Sequence, residues 1–195
     1  MSVRQALLAL VGGEQMYGYQ LRAEFERRTG SAWPLNVGQV YTTLNRLERD
    51  GLVQGADADV EGHVRYAATS AGRTEVARWF TTPVRRTQPP RDELAIKLAI
   101  AVTVPGVDVG AVIQQQRSET MGALQDYTRL KHRAAEADPA DLAWSLVLDS
   151  MVFAAEAEIR WLDHCEARLR RAALARQESP IPSAVEPAPV AGGRR

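Results

Sequence analysis

The chain has almost no cysteine and no excess charge of either sign. A single thiol, Cys165, rules out an internal disulfide and with it the stapled scaffolds of oxidising compartments. Lysine and arginine together number 24, as do aspartate and glutamate, so no global basic field announces a polyanionic partner. Histidine is scarce too: His63, His132 and His164 lack metal-ligand spacing, and no metal site is expected. His164 and Cys165 are neighbours in sequence and point to different helix faces, so they make no nucleophile–base pair, and Cys165 reads as a small apolar core residue. Gly12-Gly13 and Gly192-Gly193 lack the strand–turn–helix setting of a phosphate loop. No apolar run approaches the ~20 residues that span a bilayer. Met1-Ser2-Val3-Arg4 leads into an amphipathic helix, with no apolar run and cleavage site of a leader. The expectation is a cytoplasmic protein that is not an enzyme and needs no cofactor.

What is present is concentrated in residues 36–53. Asn36 is a preferred N-cap, and Gln39 stands three positions later, where its amide can reach back to the cap. Val40, Leu44 and Leu47 follow the i, i+4, i+7 spacing of a buried stripe, while Gln39, Thr42, Thr43 and Arg46 fall on the remaining arc. Gly51 comes where a left-handed residue ends a helix, and Leu52-Val53 opens a strand. A helix with one apolar face and one short polar face, followed at once by a hairpin, is suited to lie in a DNA major groove. Amide, hydroxyl and guanidinium groups hydrogen-bond base edges there, so Gln39, Thr42 and Arg46, with Thr43 at the margin, are the expected base readers. Arg46 is the expected guanine contact.

The flanking sequence organises around that helix. Val3, Ala6, Leu7 and Leu10 mark a first helix, and Leu21 and Phe25 a second from about Tyr17 to Arg28, with Gly18 allowing a close neighbour. Val64, Tyr66 and Ala68 alternate with His63, Arg65 and Ala67 in the returning strand of a hairpin whose tip spans Gly55 to Gly62. Arg65 and His63 project from this wing toward a DNA backbone or minor groove. Thr69 or Ser70 caps a fourth helix holding Val76, Trp79 and Phe80. Arginines at 22, 27, 28, 46, 49 and 65 predict a local basic face on a neutral chain.

The stretches YGYQL at Tyr17 to Leu21, VYTTLNRLERDGLV at Val40 to Val53 and RYAATSAG at Arg65 to Gly72 together resemble the PadR family of winged-helix transcription regulators. The likeness covers roughly the first 80 residues. It implies that Tyr41 is the aromatic of the recognition-helix motif and that Tyr17 and Tyr19 are those of the preceding helix, with hydroxyls placed to hold phosphates. DELAIKLAI at Asp92 to Ile100 resembles the family's helical half in layout.

The predicted fold is mainly α with a small β-wing: a winged helix-turn-helix domain over 1–83, a proline-punctuated linker over 84–91, a helical dimerisation domain over 92–176 and a disordered tail over 177–195. Asp92 and Asp108 cap two helices, and a third follows Pro139. Val109, Ile113, Gln116, Thr120, Ala123, Tyr127, Leu130 and Ala134 keep a heptad seam. Trp144, Leu148, Met151, Ala155, Glu158, Leu162, Cys165 and Leu169 repeat that spacing, with only Glu158 out of character. The two long helices pack on each other within a chain, or they exchange across a two-fold axis, as the resemblance implies. Trp144, Met151, Glu158 and Trp161 are the candidates for an effector site, the family likeness implying an aromatic or drug-like molecule. The combined reading is a homodimeric repressor on a pseudo-palindromic operator in double-stranded DNA. Its rival is a protein-interaction module that uses the same fold without touching DNA. An enzyme built on a winged dimerisation domain is disfavoured, because about 100 residues of helix leave no room for a doubly wound cofactor domain.

Overall fold

The computed structural model describes residues 2–57, 62–85, 91–133 and 139–178. Asp59 and Glu61 of the hairpin tip, positions 86–90 of the expected linker, Ala134 and the tail from 179 onward lie outside the described residues.

Two packed bodies follow the chain order. In the first, α1 (Ser2–Gly13), α2 (Gly18–Thr29), α3 (Val37–Arg49) and α4 (Ser70–Thr81) surround a small antiparallel sheet. Leu7, Leu8, Leu21, Val40, Leu44 and Leu47 are fully buried, so the apolar stripes of α1, α2 and α3 meet in one core. The stripe expected on α3 is the one observed.

Local chemistry fixes the ends of α3. The Asn36 side chain accepts from the Gly38 N–H at 2.7 Å, and the Asn36 N–H donates to Gln39 Oε1 at 3.1 Å. At the far end Gly51 adopts φ 71°, and the Gly51 and Leu52 N–H groups donate to the Glu48 and Leu47 carbonyls at 2.9 Å each, a Schellman arrangement. The chain therefore turns directly from α3 into β2 (Val53–Gly55).

The sheet has one strand more than the hairpin expected from the alternation. Met16–Tyr17 forms a two-residue strand, β1, which pairs with β3 (Arg65–Ala68) and makes the order β1-β3-β2. Met16 faces Tyr66 and Tyr17 faces Arg65. Tyr17 is thus a strand residue that also precedes α2, where its N–H donates to Gln20 Oε1 at 3.0 Å; the helix itself begins at Gly18. Such a short strand carries no periodicity of its own, and only its distant partner creates it. Thr69 links wing and helix: its hydroxyl donates to the Gly51 carbonyl at 2.8 Å and accepts from the Gly72 N–H at 3.1 Å.

The second body holds α5 (Glu93–Ala101), α6 (Val109–Arg133) and α7 (Pro139–Glu178). Asp92 and Asp108 cap α5 and α6 through the Ala95 and Ala111 N–H groups, each at 3.0 Å. The two heptad seams face each other within this chain, antiparallel. Ile113, Leu148 and Leu162 are fully buried and Thr120 nearly so. Glu158 finds its partners here: Oε1 accepts from Gln116 Nε2 at 2.9 Å and from the Thr120 hydroxyl. Across the same helix pair Arg117 bridges Asp163 and Glu166 at 2.7 Å each, and Lys131 pairs with Asp149. Among the described residues no helix is long and apolar enough to cross a membrane.

The bodies touch through α2 and α7. Gly30 ends α2 in the left-handed region at φ 57°, Ser31 follows at the same φ, and the indole of Trp144 lies where a Gly30 side chain would project. A methyl there would fall 2.2 Å from the ring. Gly30 is thus required twice, for its backbone and for its missing side chain.

Candidate nucleic-acid interface

The outer face of α3 carries the residues expected of a base-reading helix. Gln39, Thr42 and Arg46 are exposed and spaced three and four apart, so they share one face. With Thr43 and with Val3 of α1 they border a groove of ≈ 560 Å³. Hydrogen bonds narrow what each can offer. While Gln39 Oε1 holds the cap, this amide presents only donors outward, so a bidentate adenine contact requires opening the cap. The Thr43 hydroxyl donates to the Gln39 carbonyl at 2.7 Å and keeps only its acceptor capacity. Among the described residues Arg46 has no carboxylate partner, whereas Arg49 lies 3.6 Å from Asp50, which also pairs with Arg4 at 2.9 Å. Arg46 is the guanidinium on α3 with its full set of donors to give.

The wing and the start of α2 gather the other candidates. The rings of Tyr17 and Tyr19 stack with centroids 5.7 Å apart and planes 6° from parallel. His63 meets their edges at 5.7 and 6.3 Å, and the Arg65 guanidinium lies 4.7 Å from the Tyr17 ring centre. Four residues from two distant stretches form one cluster, assembled by the β1–β3 pairing. Tyr41 joins it to α3: its ring packs on Gly18, where an added Cβ would come within 2.7 Å of the ring, and the residue remains 37% exposed. The glycine between the two tyrosines is therefore the seat of the recognition-helix aromatic. Burial pushes the neighbouring Tyr66 hydroxyl above its ordinary pKa, with Glu48 and Tyr41 adding to the effect.

The basic face is narrower than the arginine positions suggest. Arg22 pairs with Glu26 at 2.9 Å, while Arg27 and Arg28 share Glu24 at 2.9 and 2.6 Å. The Arg27 hydrogen bond holds the Glu24 carboxyl below the usual carboxylate range, against the opposing effect of its burial, and Arg28 adds to the lowering. Arg27 and Arg28 stand three and four positions after Glu24, and Arg22 four before Glu26, which is the spacing that signals these pairs.

The four effector candidates do not come together. Met151 and Glu158 line one cleft between α6 and α7, joined by the seam residue Tyr127 and by Glu119. Trp144 is at the junction with α2, and Trp161 packs beside Leu98, Ile113 and Leu162. Two polar seam residues facing an odd glutamate on the partner seam would have indicated the cleft's polar end. Among the described residues no group of three or more His, Cys, Asp or Glu is arranged to hold a metal ion.

Comparison with known proteins places this geometry in context. Residues 7–78 match the family model described as the transcriptional regulator PadR-like family, and residues 90–170 match the one described as virulence activator alpha C-term. A probable transcriptional regulator of Mycobacterium tuberculosis is 30% identical over 186 residues, 87% of this chain and 98% of that one. The fold is shared with Bacillus subtilis PadR in complex with operator DNA (TM-score 0.65, 18% identity, 86% of this chain and 99% of that one). It is shared equally with that protein in complex with p-coumaric acid (0.67, 19%, 87% and 99%) and with the Vibrio cholerae virulence activator AphA (0.65, 23%, 86% and 98%).

Proposed function

This chain belongs to the PadR-like family of transcriptional regulators, and from that premise we propose that it is a homodimeric cytoplasmic repressor that binds a pseudo-palindromic operator and is released by a small-molecule effector. The carrying observation is the doubly capped α3, with Gln39, Thr42 and Arg46 exposed on one face and the Tyr17–Tyr19–His63–Arg65 cluster adjoining it through Tyr41. Arg46 reads a guanine, Thr42 and Gln39 contact neighbouring base edges, and Thr43 accepts at the margin. The wing cluster holds phosphates, with Arg65 as its charge. The α2 arginines add to the field only when a phosphate displaces Glu24 or Glu26, whose side chains are 18% and 20% exposed while the arginine side chains remain 42–52% exposed.

The test is a base-specific one. Arg46→Ala is expected to weaken binding to a duplex selected from a randomised pool by roughly 1–3 kcal/mol and to relax base preference at one position per half-site, with a smaller change on unselected duplex. Equal losses on both would reassign Arg46 to a phosphate.

Residues 92–176 supply the dimer contact in this reading and residues 1–83 the DNA contact. Support comes from apolar side chains left at the surface of the helical body: Ile96 and Ile100 one turn apart on α5, and Leu142, Leu146 and Phe153 on α7, all at least half exposed. Truncation after Thr82 is expected to give a monomer that binds DNA feebly, because each half-site is read by one subunit. Sedimentation of that fragment as a stable dimer would overturn the division of labour.

A further inference from the structure

We propose that the cleft between α6 and α7 at Glu158 binds an organic cation with an apolar body; this rests on the effector reading above and gives that effector a charge. The cleft holds ≈ 320 Å³. At one end stands the Glu158 carboxylate, pinned because Oε1 takes hydrogen bonds from both Gln116 and Thr120. Its second oxygen has no partner among the described residues and remains accessible. Glu119 lines the same cleft, and among the described residues no lysine or arginine does.

The remaining walls are apolar or aromatic. Ala123, Ala154 and Ala155, with their short side chains, line the trough between the helices together with Met151 and Tyr127. A half-buried carboxylate on a helix seam, with no cation beside it among the described residues, is open to pairing with a ligand's positive charge. A tyrosine face and a polarizable thioether are good neighbours for an alkylammonium or amidinium group and its hydrocarbon body. Among the described residues an aromatic carboxylate would meet two negative charges and no positive one. The cleft's chemistry therefore selects by sign before it selects by shape.

The experiment uses the full chain and two probes of matched size, (3-phenylpropyl)trimethylammonium and 4-phenylbutanoate, titrated calorimetrically. The cation is expected to bind and the carboxylate to give no heat at this site. Glu158→Gln keeps the acceptor for Gln116 and Thr120, so its melting temperature should stay near that of the parent while cation affinity falls at least tenfold. Cation affinity unchanged by that substitution overturns the proposal, as does preferential binding of the carboxylate. A shift of Glu158→Gln from dimer to monomer in sedimentation also overturns it, since a second chain would then fill the trough. Displacement from the selected duplex separates the two claims. A carboxylate that releases DNA without using Glu158 defeats the cleft and leaves effector control standing, whereas a cation that binds through Glu158 and releases nothing supports the cleft and defeats effector control.

Discussion

Gly72→Ala is expected to destabilise the winged body by ~3 kcal/mol, a large effect for one methyl group. A Cβ at this position would lie 2.0 Å from the Leu52 carbonyl oxygen and 3.1 Å from its carbon. That carbonyl is backbone and cannot swing aside as a long side chain would. It also accepts the Thr69 N–H at 3.0 Å, in the same turn where the Thr69 hydroxyl holds Gly51. Relief of the overlap requires separating the first turn of α4 from the exit of α3, which disturbs the join that sets the wing against α3. Ordinary propensity points the other way, since alanine is preferred over glycine within helices by about 1 kcal/mol. A thermal or denaturant melt of the variant decides between the two: a stability equal to the parent's or higher would mean that the close approach is not maintained in solution. DNA affinity should fall with the folded fraction and beyond it, because α3 loses its fixed exit.

The second large effect is expected at the junction of the two bodies. Gly30→Ala should cost roughly 2–3 kcal/mol, of which about 1–2 kcal/mol is the left-handed backbone and the remainder the displacement of Trp144. The two parts separate in a double-mutant cycle. In a Trp144→Ala background the steric part vanishes and the backbone part stays, so the penalty of the second substitution should shrink without disappearing. Additive losses would show that the ring and the turn do not touch in solution. Tryptophan emission offers an independent reading, since Gly30→Ala alone should alter the environment of Trp144.

Helix α3 was legible in full because everything that defines it lies within 16 consecutive residues: the Asn36–Gln39 cap, the Val40–Leu44–Leu47 stripe and the Gly51 exit. The heptad seams were equally readable, and the odd Glu158 stood out, but its partners Gln116 and Thr120 were not evident, because spacing on one helix does not say which residues of another it meets. The same limit explains the missed β1 strand, which is two residues long and exists only through residues 65 and 66. Counted by type alone, the arginines of α2 suggest a basic face, and geometry sets Glu24 and Glu26 against them. Trp144 was read as a pocket or core aromatic; nothing near it in sequence points to a glycine on α2 over a hundred positions earlier. Of the candidate interface, the α3 residues could be grouped from spacing alone, while the meeting of Tyr17, Tyr19, His63 and Arg65 depended on the strand that spacing did not reveal.

The seat of Tyr41 on Gly18 ties two motifs that are separate in the sequence into one inherited unit. A side chain at 18 would press on the outer end of the Tyr41 ring, which would have to swing further into solvent or give way to a smaller residue. The two positions are therefore expected to constrain each other, and the hydroxyl at the end of the Tyr41 ring keeps its present place only for as long as position 18 stays bare.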